Sequence, residues 1–389
     1  MGRTPRAGST PRLQLASVGR RDGGVARRPL EPPPEPHAPT MYRLDRSHTG
    51  RSGWRLPRRP RITARVVTRA RISAQPVVVG DNLLVVGSHD GMLYQATPAG
   101  AVRWRFNTGD RVYTTPAVTA NGALLLGTDA DRFLSVSQRG RLNLALGTDS
   151  DADTSAAIAA DGTVRMAAGR TLWSLDPDFT VRWRLDVGGK VFSSPAVMDD
   201  GTAVFGAQDN YVYAVDGEGA VRWRFQTGDD VDASPMLDGE GNVYVGSDDG
   251  SVYSLTAAGA ERWRRAMGGY VRAAAALGLD GTVIVATYGP RPRLAALDRG
   301  NGRELWSYAI GGPPTRDYGI ASAPLVDADG RIAFGAPDDA VHIVDRDGTH
   351  PVRFPLPADV DSAPVLIDDR TMAVGCDDGT LYVIGDAER

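Results

Sequence analysis

From Pro76 onward the chain repeats one phrase eight times, and a repeat of this kind without helical patterning leaves few folds open. The clearest copies read TTPAVTANGALLLGTDADRFLSVSQRG (114–140), SSPAVMDDGTAVFGAQDNYVYAVDGEGAVRWRF (193–225) and ASPMLDGEGNVYVGSDDGSVYSLTAAGAERWRR (233–265). An anchor proline, or an alanine in its place, falls at Pro76, Pro116, Ala156, Pro195, Pro235, Ala275, Pro324 and Pro364, at steps of 40, 40, 39, 40, 40, 49 and 40 residues. Such a period, built from strand-like runs, signals a radial or stacked β array.

Each unit holds short apolar runs rich in Val, Tyr, Phe and Trp, which read as strands. In the unit anchored at Pro195 these are PAVM, TAVFGA, YVYAVD and VRWRF. The first gaps carry Asn121-Gly122, Asp161-Gly162, Asp200-Gly201, Asp280-Gly281 and Asp329-Gly330, pairs that tolerate the positive φ of a tight hairpin. The second gaps read His89-Asp90-Gly91, Asp248-Asp249-Gly250 and Asp377-Asp378-Gly379. One unit is therefore a four-stranded antiparallel meander, the shape of a propeller blade.

The residues just before each anchor are almost all small, as in Thr114-Thr115, Ser193-Ser194, Ala273-Ala274 and Ser362-Ala363. Innermost strands converge on an axis where large side chains collide, so this pattern favours a closed ring over an open solenoid. The fourth run carries Trp104, Trp183, Trp223, Trp263 and Trp306, with Leu144 and Val352 in other units. These tryptophans are expected to pack between neighbouring blades. The last unit stops after LYVIG (381–385), while a lone strand, ITARVVT (62–68), precedes the first and places Ala64 at the tryptophan position. That strand is expected to complete the last blade and remove an exposed edge. The fold expected is all-β: an eight-bladed β-propeller, with residues 48–389 as its body and 1–47 as an Arg- and Pro-rich leader.

The phrase xSxPAVxxDGxVYVGSxDGxxYAxDxxGxxRWRF resembles the repeat of quinoprotein-type propellers over about residues 48–385. That family includes alcohol dehydrogenases that use pyrroloquinoline quinone (PQQ) with calcium, and the propeller lipoprotein of the outer-membrane barrel-assembly machinery. The resemblance implies the fold strongly and an activity weakly, because the repeated residues are structural. It also implies a periplasmic or envelope location, whereas the N-terminus shows no apolar signal core and Arg20-Arg21 is followed by DGGVARR. No long apolar run is present, so no membrane span is expected.

Charge is unevenly distributed. Residues 1–71 hold 17 Arg and 4 acidic residues; the rest holds 27 Arg plus Lys against 43 acids, so +13 and −16 combine to the net −3. The basic leader reads as compositional bias, with Lys190 the only lysine, rather than as a nucleic-acid arm. Cys376 is the only cysteine, which excludes a disulfide within one chain and the vicinal pair of the quinone dehydrogenases. The histidines His37, His48, His89, His342 and His350 are scattered, and there is no nucleophile elbow, phosphate loop or haem motif. Asp149, Asp151 and Asp153 open like a calcium loop but lack its glycine and closing acid. No catalytic residue and no metal ligand is assigned.

Repeats can be compared with each other. Positions five and three before the anchor vary while their surroundings agree: Arg71 and Ser73, Arg111 and Tyr113, Asp151 and Asp153, Lys190 and Phe192, Asp230 and Asp232, Tyr270 and Arg272, Gly319 and Ala321, Asp359 and Asp361. Alternation of period two puts each pair on one face, around one mouth of the channel. The insertion GGPPTRDYG (311–319) adds Arg316, Asp317 and Tyr318 there. These residues suggest an acidic and a basic-aromatic sector. Second-turn aspartates (Asp90, Asp129, Asp131, Asp209, Asp248, Asp249, Asp338, Asp339, Asp377, Asp378) lie on the same side, mostly as turn formers. The function expected is a non-catalytic, monomeric scaffold binding a protein or peptide at this mouth. The alternatives are a PQQ- or carbohydrate-binding enzyme using the channel, and an envelope protein-assembly factor.

Overall fold

The strand-forming runs assemble into eight four-stranded antiparallel sheets, seven of them following chain order from an inner to an outer strand. The computed structural model describes Pro34 and residues 40–289, 291–312 and 318–387, and contains no helix among them. Blade one comprises Val77–Val79, Leu83–Ser88, Met92–Ala96 and Val102–Asn107; blades two to seven repeat it. Blade eight combines Val365–Asp368, Thr371–Gly375 and Thr380–Asp386 with the N-terminal strand Pro60–Val67. That strand pairs antiparallel with Thr380–Asp386 from Pro60 opposite Asp386 to Val67 opposite Thr380, with a bulge between Ile62 and Ala64. The ring closes as the sequence suggests.

Three contacts join blade to blade, and each explains a repeated residue type. The outer-strand tryptophans reach the next blade, where the indole N–H of Trp104, Trp183, Trp223, Trp263 and Trp306 donates to a turn carbonyl of Gln138, Gly217, Ala257, Arg299 and Arg346 at 2.7–3.0 Å. Each ring lies on that turn's glycine: a Cβ on Gly259, at φ +83°, would stand 2.5 Å from Trp223. Where Leu144 replaces tryptophan, the following turn carries Phe179, buried and at φ 68°, in place of glycine. Nearer the axis, a glycine in six of the eight second strands receives an apolar residue from the next blade; a Cβ on Gly206 would meet Val231 at 2.2 Å. Innermost, hydroxyls before the anchors form part of a belt. Thr115 N–H donates to Ser155 Oγ, Ser155 N–H to Ser194 Oγ and Ser194 N–H to Ser234 Oγ, each at 2.9 Å. Ser362 Oγ donates to Ala74 O at 2.8 Å, tying blade eight to blade one. Small residues here are thus both short enough to converge and polar enough to satisfy buried amides.

Among the described residues, 40–47 are already packed against the ring, ahead of the boundary at 48 expected from the repeats, because residues 40–59 thread across one end of it. Five inner strands donate a backbone N–H to this segment: Val118 to Thr40 O, Val197 to Arg46 O, Leu237 to Ser47 O, Leu277 to Thr49 O and Val326 to Gly50 O, at 2.7–2.9 Å. Tyr42 packs on Ala274, Ala323 and Ala363 of three blades, its ring edge-on to His48. Arg43 is 1% exposed and donates to the carbonyls of Ala275 and Pro324 at 3.1 and 2.6 Å. The His48 ring Nδ1 lies 2.9 Å from Pro235 O. These bonds lie at the far ends of the inner strands, so the segment fills the channel from the side opposite the loop-rich mouth.

Candidate functional site

The mouth is built by one local device repeated around the ring. The second-turn amide binds the carbonyl five before the anchor, as in His89 N to Arg71 O (3.1 Å), Asp248 N to Asp230 O (2.9 Å) and Asp377 N to Asp359 O (3.0 Å). The next residue (Ile72, Val112, Val231, Val271 or Val360) is buried against a glycine of the preceding blade. Its two neighbours are thereby turned outward: Asp151 and Asp153, Asp230 and Asp232, Asp359 and Asp361 are all half-buried or exposed around a buried centre. Arg71, Arg111 and Lys190 are exposed, Tyr113 is half-buried and Phe192 is 38% exposed. Arg316 and Asp317 lie outside the described residues; Tyr318 donates its hydroxyl to Gly311 O at 3.1 Å.

The acidic pairs do not form one sector. They belong to blades three, five and eight, which are separated around the ring by blades bearing cations, aromatics or Gly319 and Ala321. The cations are largely engaged. Arg71 Nε bonds His89 Nδ1 at 2.9 Å and its NH1 lies 3.7 Å from Asp377. Arg272 grips Asp248 with three bonds, at 3.0, 3.2 and 2.6 Å, and lies over the rings of Tyr270 and Tyr288. His89 lies tilted against Tyr113 with ring centroids 4.1 Å apart, and burial followed by the charges of Arg71 and Arg111 pushes its pKa down to about 4.

The carboxylates facing the axis are under the opposite pressure. Burial, then the charge of Asp248, pushes Asp232 up to about 6, although Gln208 donates to it at 3.2 Å. Burial, then Asp377, pushes Asp361 up to about 6; burial, then a hydrogen bond and the charge of Asp339, does the same to Asp359. Asp129 and Asp153 share a hydrogen bond, and burial raises both above the usual carboxylate range. Each of these sites is partly desolvated, and like charges disfavour full ionisation.

The second-turn aspartates divide by position. The inner member of each turn faces the mouth: Asp129, Asp248 and Asp377, with His89, Gln208 and Tyr288 in other blades. The next member is structural, since Asp90, Asp209, Asp249 and Asp378 accept a tyrosine hydroxyl four residues on at 2.5–2.6 Å. His342 replaces that tyrosine and meets Asp338 at 2.9 Å. His89, Gln208 and Tyr288 were missed as site residues, yet the same comparison between repeats, applied thirteen residues after each anchor, would have found them. No three His, Cys, Asp or Glu side chains are arranged to hold a metal ion among the described residues.

A ring of this geometry, with this repeat, defines the quinoprotein-type class of propellers. The family model described as outer membrane protein assembly factor BamB matches residues 40–144 and 208–388, and the chain belongs to that family. No curated protein matches in sequence. Among solved structures, BamB from Moraxella catarrhalis is 17% identical with a TM-score of 0.70, covering 84% of this chain and 99% of its own. A europium-containing methanol dehydrogenase is 13% identical with a TM-score of 0.77, covering 90% and 98%. The quinohemoprotein alcohol dehydrogenase from Comamonas testosteroni is 13% identical with a TM-score of 0.73, covering 90% and 81%. These likenesses establish the fold; they do not choose between scaffold and enzyme.

Proposed function

We propose that this propeller is a non-catalytic scaffold whose mouth takes a protein or peptide partner presenting basic side chains. One observation carries the reading. Asp153, Asp232 and Asp361 face the channel from three separate blades, partly desolvated, and none forms an ion pair among the described residues. The opposite end of the channel is filled by residues 40–55, which leaves this mouth as the approach. An arginine or lysine entering it would relieve the crowding that holds these carboxyls above their ordinary range. The family description supports an envelope location, and among the described residues no helix is long and apolar enough to cross a membrane.

The quinone reading finds little support in the donor set. PQQ is a tricarboxylate and would face Asp153, Asp232 and Asp361; no metal-holding cluster accompanies them among the described residues, and the lone Cys376 is buried. The described residues do not fit that group.

Fluorescence anisotropy with an Arg/Lys-rich peptide and an acidic control of equal length tests the proposal. Binding of the basic peptide alone, weakened about tenfold in Asp232→Asn/Asp361→Asn and by added salt, is expected. Equal binding by wild type and variant would sink it. Cell fractionation of the native host tests the location.

A further inference from the structure

Seven of the eight outer strands carry charge on an edge that has no further strand beside it. They read VRWRFN (Val102–Asn107), VRWRLD (Val181–Asp186), VRWRFQ (Val221–Gln226), ERWRRA (Glu261–Ala266), ELWSYA (Glu304–Ala309), VRFP (Val352–Pro355) and PRITARVV (Pro60–Val67). The arginine after the tryptophan position stacks on the neighbouring strand, Arg184 over Trp173 at 4.9 Å and Arg224 over Tyr211 at 4.8 Å. Such charges block edge-to-edge pairing, because a docking strand would have to strip their water. Blade two differs. Its outer strand, Leu142–Gly147, reads LNLALG, with no charge, and Leu142 and Leu144 are 50% and 41% exposed. Asn143 and Ala145 stand where Arg103 and Arg105, Arg182 and Arg184, Arg222 and Arg224, and Arg262 and Arg264 stand in four other blades. The cross-strand partner has changed too: Ala145 faces Leu134, where Arg105 faces Tyr94.

We propose that this unguarded edge pairs antiparallel with the same strand of a second copy of the chain, forming a two-fold dimer. The flanking charges choose this occupant. Exposed Arg139 and Arg141 precede the strand, and exposed Asp149 and Asp151 follow it. An antiparallel copy sets the basic end of each strand beside the acidic end of the other; centred on Ala145, it places Arg141 opposite Asp149 of the second copy. A parallel arrangement would place like charges together. The pairing would satisfy the unpaired backbone groups of both edges and cover Leu142 and Leu144. It uses the outer wall of the ring and does not depend on the mouth's function.

Sedimentation velocity from about 1 to about 100 μM tests it. The wild type is expected to move from a 41.4 kDa monomer to a species of twice that mass. Asn143→Arg/Ala145→Arg, which installs the residues four other blades already tolerate, is expected to weaken association at least about tenfold while leaving circular dichroism and melting unchanged. Arg141→Asp is expected to weaken it and Arg141→Asp/Asp149→Arg to restore it, which provides a second route if the first variant folds poorly. A wild type that stays monomeric throughout overturns the proposal. So does a dimer that neither set of substitutions affects, since it would then use another surface.

Discussion

Replacing Asp361 by asparagine should stabilise the protein near neutral pH and do so less and less on acidification. Asp361 is held in the mouth by burial and by the charge of Asp377, which together push its pKa from 3.8 to about 6, while Arg71 pulls weakly the other way. Because the folded state binds this proton more tightly than the unfolded chain, the group favours folding below about pH 4. That contribution is lost as pH rises through about 6. A shift of about two units corresponds to about 3 kcal/mol for a dry site, and water at the mouth reduces it to about 1–2 kcal/mol. The amide keeps the shape and never ionises. Urea unfolding of wild type and Asp361→Asn at pH 8, 6 and 4.5, each near the stated pKa window, reads the difference directly. Comparing the two proteins cancels groups that titrate in the other sense, such as His48, held down to about 3 by burial, and His89. The variant should lead by about 1–2 kcal/mol at pH 8 and by clearly less at pH 4.5. A variant less stable at pH 8, or a gain that does not change with pH, would refute the account of crowded carboxyls.

Other perturbations probe the scaffold. Arg43→Ala removes the donor to the Ala275 and Pro324 carbonyls and should cost about 2–4 kcal/mol in urea unfolding. Gly259→Ala puts a Cβ 2.5 Å from Trp223 at φ +83° and should cost about 1–3 kcal/mol, of which shortening Trp223 to leucine recovers only the steric part and leaves the backbone strain. Ser234→Ala strips the acceptor from the Ser194 amide and should cost about 1–2 kcal/mol, read as a lowered melting midpoint.

The fold was legible because its determinants are local and repeated eight times. Asp-Gly and Asn-Gly turns, alternating strands and tryptophan at one fixed offset each recur, so chance is averaged out. The placement of Ala64 at the tryptophan position was enough to foresee the closing strand. The mouth was legible only in outline. Alternation gave the outward direction of Asp230 and Asp232, but not that Arg272 would be spent on Asp248, nor that the acidic pairs would stand apart on blades three, five and eight. Those facts depend on which side chains meet across blades, and spacing within one repeat says nothing of neighbours. The channel-filling segment was hidden for a different reason. Tyr42, Arg43 and His48 lie outside the repeat and have no internal copy to compare with.

The pairing of Pro60–Val67 with Thr380–Asp386 bears on how the molecule comes into being. On the ribosome, the first strand to emerge must wait for the last. Until residues near 380 are made, Pro60–Val67 has no strand to pair with, and the final sheet has no outer member. Completion therefore comes as a late, single event that locks both termini at once. Loss of Thr380–Asp386, by proteolysis or a premature stop, would leave Pro60–Val67 without its partner as well.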